Sequence, residues 1–173
     1  MKKVLSILFI FAIMQSVCFA KDVLNFNFPD NGWHKVASPD GIDSKKCYVP
    51  ANQSSESFNE MLTFVQKDIK NTGISPFAIL QKQLGKDKNN YFDIIPEYIV
   101  KDMDNAMVAW CSQNKNTCVI ERAFRGNSGV VLAIYTNKAP HYSQNMFGRW
   151  SNILGGITVL PQGEAKTTGT VEL

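Results

Sequence analysis

The sequence predicts an α+β fold in which an antiparallel sheet packs against two helices. Three observations carry that expectation. Residues 106–136, AMVAWCSQNKNTCVIERAFRGNSGVVLAIYT, form a dense strand-and-turn pattern with strands at 106–111, 118–125 and 130–136. The intervening turns, SQNKNT and GNSG, are polar and contain Gly and Asn, which tolerate the positive φ of hairpin turns. On either side of this meander lies one amphipathic helical pattern, opened in each case by a serine. An antiparallel sheet burying one face under two helices is the layered arrangement that satisfies this order.

The elements follow in sequence. Lys2 and Lys3, an apolar run from Val4 to Met14, and Cys18-Phe19-Ala20 ahead of Lys21-Asp22 make residues 1–20 a signal peptide, cleaved after Ala20. The run is too short to span a membrane comfortably. A lipid anchor at Cys18 is the rival, but Gln15-Ser16-Val17 fits a lipoprotein box poorly. Residues 21–160 are expected to form a single domain, large enough to bury its own core. Val23-Leu24-Asn25-Phe26-Asn27-Phe28 alternates as a half-buried strand does, and turns at 29–32 and 38–41 separate it from strands at 33–37 and 45–49.

Residues 57–70 are ambiguous. Phe58, Met61, Leu62, Val65 and Ile69 fit a helical stripe, and Ser57 with Glu60 resembles a capping box. Met61 to Val65 is equally a compact β-favouring run. Ser75-Pro76 opens a helix whose face is Phe77, Leu80 and Leu84, and Gly85 is expected to stop it. A polar loop at 86–90 and strands at 91–95 and 97–102 then lead into the meander. Ser143 caps the second helix, with Met146, Phe147, Trp150, Ile153 and Leu154 on its apolar face and Gly155-Gly156 at its end. Residues 157–160 read as a short extended run. The remainder, 161–173, has little to bury and is expected to be a disordered tail.

Removing the leader takes two of the 18 basic residues and none of the 15 acidic ones. The remaining 16 basic and 15 acidic residues balance to +1, so the whole-chain charge of +3 overstates the basicity of the exported form. Without a basic run, nucleic acid is not an expected partner. No segment after the leader is long and apolar enough to cross a membrane. Cys47, Cys111 and Cys118 remain, and an oxidising compartment favours a disulfide between well-placed cysteines. Cys111 ends one expected strand and Cys118 begins the next, so opposed positions bring them within bridging range. That structural staple outweighs a redox pair, which normally has the tighter Cys-x-x-Cys spacing.

Three stretches resemble a loose group of uncharacterised, exported bacterial proteins: YVPANQSSESFNEMLTF at 48–64, the Cys111 hairpin running into Glu121–Gly126, and the late helix with Trp150. The element order, with Gly32-Trp33 early in the chain, is similar to the PsbP-like α/β/α sandwich. Where that group often has Trp before its Glu-Met step, this chain has Phe58-Asn59. The resemblance implies a sandwich fold, an envelope address and a strand rather than a helix at 58–70. It implies no catalytic residues, and PsbP-like proteins generally work by docking to larger assemblies.

Little chemistry is legible. With two histidines and one spare cysteine, a zinc site would need carboxylates from distant segments, so no metal or cofactor is expected. Asp102-Met103-Asp104-Asn105 lacks the glycine and distal glutamate of an EF-hand loop and reads as a solvated turn. Cys47 with His34 or His141 would be the only thiol-enzyme pairing, and no Gly-x-Ser-x-Gly elbow is present. Glu121 is the one carboxylate in an apolar setting, though a solvated strand face with Arg122 nearby accounts for it. The expected function is therefore a periplasmic or secreted non-catalytic binding module whose partner is unknown, with the His141–Tyr142 loop as candidate contact. The alternatives are a small secreted Cys/His hydrolase or thiol enzyme, and a carrier of a small apolar ligand using Phe147 and Trp150.

Overall fold

The computed structural model describes residues 22–29, 32–42, 44–67, 73–161 and 170–173. The expected leader at 1–20 lies outside them. The described residues form ten strands and two helices: β1 (Val23–Asn25), β2 (Trp33–Val36), β3 (Lys45–Pro50), β4 (Glu60–Lys67), α1 (Pro76–Asn90), β5 (Glu97–Lys101), β6 (Asn105–Ser112), β7 (Thr117–Arg125), β8 (Val130–Asn137), α2 (Gln144–Gly155), β9 (Thr158–Val159) and β10 (Thr170–Glu172). Seven strands form one antiparallel sheet in the order β2-β3-β4-β8-β7-β6-β5, and β10-β1-β9 form a second, three-stranded one.

This architecture corrects the α+β expectation. The protein is mostly β, and the large sheet does not bury one face under both helices. Each helix takes a different face. On one, Leu80 and Leu84 of α1 pack against Val65, Val108, Val119 and Leu132. On the other, Trp150 and Leu154 of α2 join Leu24 and Phe26, with Val171 of β10, over Phe64, Ile120, Phe124 and Tyr135. The physical reason lies in the central strands: β7 is buried at every position but its last and β8 throughout its first half, so successive side chains on both faces need cover. The short second sheet supplies part of it. The tail expectation is corrected by the same pairing, because Thr170–Glu172 lies along β1, with Leu24 opposite Val171. Residues 162–169 lie outside the described set.

At 60–67 the chain is strand β4, with Leu62 and Phe64 buried on one face and Met61 and Val65 on the other. A strand buried on both sides yields a continuous apolar run, which imitates a helical stripe. Ser75 caps α1 as expected, its Oγ accepting from Ala78 N at 3.1 Å. Gly85 does not stop the helix, and the polar loop and the strand expected at 86–95 are absent. Leu80, Leu84 and Asp87 continue one buried face past the glycine, whose missing Cβ would meet nothing within 4 Å. The helix ends where Tyr91 N donates to Asp87 O at 2.7 Å. Ser143 caps α2 through a 3.2 Å bond from Met146 N.

One glycine is sterically demanded. A Cβ on Gly126 would collide with Oδ2 of Asp22, whose buried carboxylate accepts from Ser128 N in the β7–β8 turn. Asp22 thereby fastens the start of β1 to the central hairpin.

Candidate functional site

At the β6–β7 turn end of the sheet, three segments converge: the 91–96 loop after α1, the 113–116 turn and the 138–142 loop. The first is tied to the second by Asp93, which accepts from Ser112 Oγ at 2.7 Å and Asn114 N at 3.1 Å. The Ser112 bond, followed by the Asn114 one, holds the Asp93 carboxyl below its ordinary value. Within the turn, Asn116 adopts φ 46°, a left-handed conformation that asparagine accommodates. Cys111 and Cys118 face each other across β6 and β7 with their sulfurs at bonding distance, 2.01 Å, and Cα atoms 4.0 Å apart. Closing so short a loop contributes about 2–3 kcal/mol on a chain-entropy account.

Between these segments lies a groove of about 450 Å³ bordered by Asp93, Ile95, Cys111, Asn114, Pro140 and His141. Ile94 is buried and anchors the first loop, while its neighbours face outward: Phe92 is 81% exposed and Ile95 87%. These two are the most exposed large apolar side chains among the described residues. His141 borders the groove as an exposed residue. Tyr142 does not share that role. Its ring packs on Phe147 at 5.4 Å and its hydroxyl donates to Trp110 O at 3.2 Å, which makes it a strut behind the loop. Burial raises its phenol above the ordinary value.

The residues of the thiol-enzyme alternative are not assembled. Cys47 is 1% exposed in β3, within a small apolar cluster with Val49 and Met61, and its Sγ lies 3.6 Å from Thr63 Oγ1. His34 is on β2 opposite Val49, and His141 is in the groove beside Cys111. Iodoacetamide is therefore expected to leave Cys47 untouched in the native protein and to label it only after unfolding, as intact mass would show. Rapid native labelling near neutral pH would restore the thiol-enzyme reading.

Glu121 corrects the solvated-face expectation. It is 1% exposed, beneath α1, and Oε1 accepts from Trp110 Nε1 at 2.8 Å. Asp87, on the last turns of α1, lies against it and is also buried. Arg122, on the opposite face, is buried under α2. Asp102 behaves as a turn residue, accepting from Asp104 N and Asn105 N at 2.9 and 3.2 Å. Among the described residues, no group of three or more His, Cys, Asp or Glu is placed to hold a metal ion. Likewise, no described helix is long and apolar enough to cross a membrane.

The sequence pairs Cys111 with Cys118 as the structure does, and names His141, which borders the groove, but it singles out none of Phe92, Ile95 and Asp87. The signal for the first two was the stretch Tyr91-Phe92-Asp93-Ile94-Ile95 before Pro96, apolar but for Asp93, which suits a presented loop as well as a short strand. In comparisons with known proteins, no family model matches the chain and no curated protein has a significantly similar sequence.

Proposed function

We propose that the protein is exported to the periplasm or beyond and acts as a non-catalytic binding module, docking a protein partner through the Phe92–Ile95 loop and the adjoining groove. One observation carries this reading. Two large apolar side chains stand almost fully in solvent within four residues of each other, on a loop pinned from below by Ile94 and from the side by Asp93. A solvent-exposed apolar pair on a fixed support meets the requirement for an anchor: burial on docking gains the hydrophobic term, and little ordering entropy is lost. The Cys111–Cys118 bond supports the address, since such bonds persist in oxidising compartments.

The double substitution Phe92→Ser with Ile95→Ser should weaken partner capture at least about tenfold, a loss of about 1.4 kcal/mol, while leaving Tm unchanged. A photo-crosslinker at position 92 should give a discrete adduct in the exported fraction that the same probe at Met103 does not. Met103 is 60% exposed at the opposite end of the sheet, between β5 and β6, and so controls for apolar exposure alone. Equal adducts from both positions would sink the reading, and a fall in Tm would mark the pair as structural.

A further inference from the structure

Two buried acids from different elements meet beneath this loop. Glu121 Oε1 accepts from Trp110 Nε1 at 2.8 Å, and Asp87 Oδ1 accepts from Gln83 Nε2 at 3.1 Å. The second oxygen of each, Glu121 Oε2 and Asp87 Oδ2, is buried and meets no other donor. Two ionised carboxylates bring only acceptors to such a contact, so one of the pair must carry a proton for the two to bond. We propose that Glu121 and Asp87 share one proton, that this proton fastens the last turns of α1 to β7, and that its loss as pH rises loosens the loop carrying Phe92 and Ile95.

Glu121 is the holder. Burial foremost, and then the charge of Asp87, push it well above the usual carboxylate range. Asp87 is raised by burial too, but the hydrogen bonds from Glu121 and Gln83 and the charge of Lys86 act against that, so it takes the ionised role. Glu121 Oε2–H then donates to Asp87 Oδ2. Of the surrounding elements, α1 contributes Lys86. The end of α1 contributes Tyr91, its phenol raised by burial and then by Asp87. The 138–142 loop contributes Tyr142, which also feels the charge of Glu121. The cross-strand neighbours of Glu121, Val108 on β6 and Ile134 on β8, do not titrate. Among the described residues, neither cross-strand neighbour therefore supplies a cation to replace the proton.

The consequence for stability has a definite sign. Both carboxyls have folded values above their unfolded ones, so the stabilisation is complete below the ordinary carboxylate range and is lost as pH rises through the folded value. Above it, two charges occupy one buried contact. The connection to the loop is short, because Tyr91 N bonds to Asp87 O at 2.7 Å and its ring packs on Trp110 at 5.0 Å. Control of the docking face rests on the binding reading above; the shared proton does not.

The test measures Tm of the intact chain from pH 5 to 9 for the wild type, Glu121→Gln and Asp87→Asn, together with the Trp110 indole N–H resonance. The amide of Glu121→Gln accepts from Trp110 and donates to Asp87 without titrating. Its Tm should overtake the wild type as pH rises, with a gap of about 3 °C or more by pH 9. The indole resonance should move with pH in the wild type and stay fixed in Glu121→Gln. A pH-invariant wild-type indole resonance, or Tm curves that run parallel at all pH values, would overturn the shared proton, and the first of these needs no variant to fold. Crosslinking from position 92 at both ends of the range separates the two readings. A titrating indole with no discrete adduct at any pH supports the shared proton and removes the docking face.

Discussion

Replacing Arg122 with methionine is expected to cost about 3 kcal/mol, a fall in Tm of about 10 °C, although no acid partner is lost. The side chain rises from the middle of β7 toward α2 and meets three acceptors: Leu154 O at 2.6 Å, Ile157 O at 2.8 Å and Asn105 Oδ1 at 2.8 Å. Its guanidinium also lies over the Phe124 ring, 4.5 Å from the centroid. Leu154 and Ile157 belong to the last turn of α2 and the exit from it, where carbonyls run short of helical partners (Leu154 O has a long 3.3 Å bond from Ile157 N) and the helix dipole is negative. Methionine keeps much of the apolar stem but removes the guanidinium from Ile157 O and Asn105 Oδ1, and leaves Leu154 O only its backbone contacts at the helix end, Ile157 N at 3.3 Å among them. Burial lowers the Arg122 value, yet a guanidinium starts so high that it stays charged. Arg122→Lys should recover about half of the loss, since one ammonium cannot reach all three acceptors in the planar fork geometry. Urea unfolding with an unchanged m-value would check both variants. A cost below about 1 kcal/mol for Arg122→Met would mean that water replaces the guanidinium and that α2 is not held from below.

Arg122 and Glu121 also show where legibility ended. The alternation of Leu24 and Phe26, the two serine caps, the Cys111–Cys118 pairing and all three strands of the meander could be read locally, because period, cap chemistry and turn residues act over a few positions. Whether a charged pair in the middle of a strand faces water depends on what lies above and below that strand. That is decided by β4, which comes from a distant part of the chain and pairs with β8, placing β7 and β8 inside a seven-stranded sheet. With α1 on one face and α2 on the other, Glu121 and Arg122 point into separate cores. Gly85 failed as a stop signal for a related reason: the burial of Asp87 against Glu121 carries the helix onward, a tertiary contact overriding local propensity. The tail hid its strand because Val171 and Leu173 are too short an alternation to read as a strand until β1 lies beside it.

Trp150→Ala should be the most damaging single truncation, at about 4 kcal/mol, and it also decides the ligand-carrier alternative. Trp150 is 2% exposed and stacks on Tyr135 with ring centroids 3.9 Å apart and planes 15° from parallel. Its edge meets Trp33 at 5.4 Å. Tyr135 is fixed in turn by donating to Glu60 Oε1 at 2.8 Å, so the indole joins α2 to the sheet through β8 and to β2 at its edge. These contacts make the Trp150 ring itself part of the packed core. Truncation to alanine should open a dry, apolar cavity of indole shape, and such cavities accept small apolar molecules. Added free indole should therefore raise the Tm of Trp150→Ala, by about 2.7 kcal/mol of stabilisation at a hundredfold excess over its Kd, and leave the wild type unmoved. Indole stabilising both proteins equally would show that the wild-type core keeps room for a guest, and the carrier reading would then displace the docking loop.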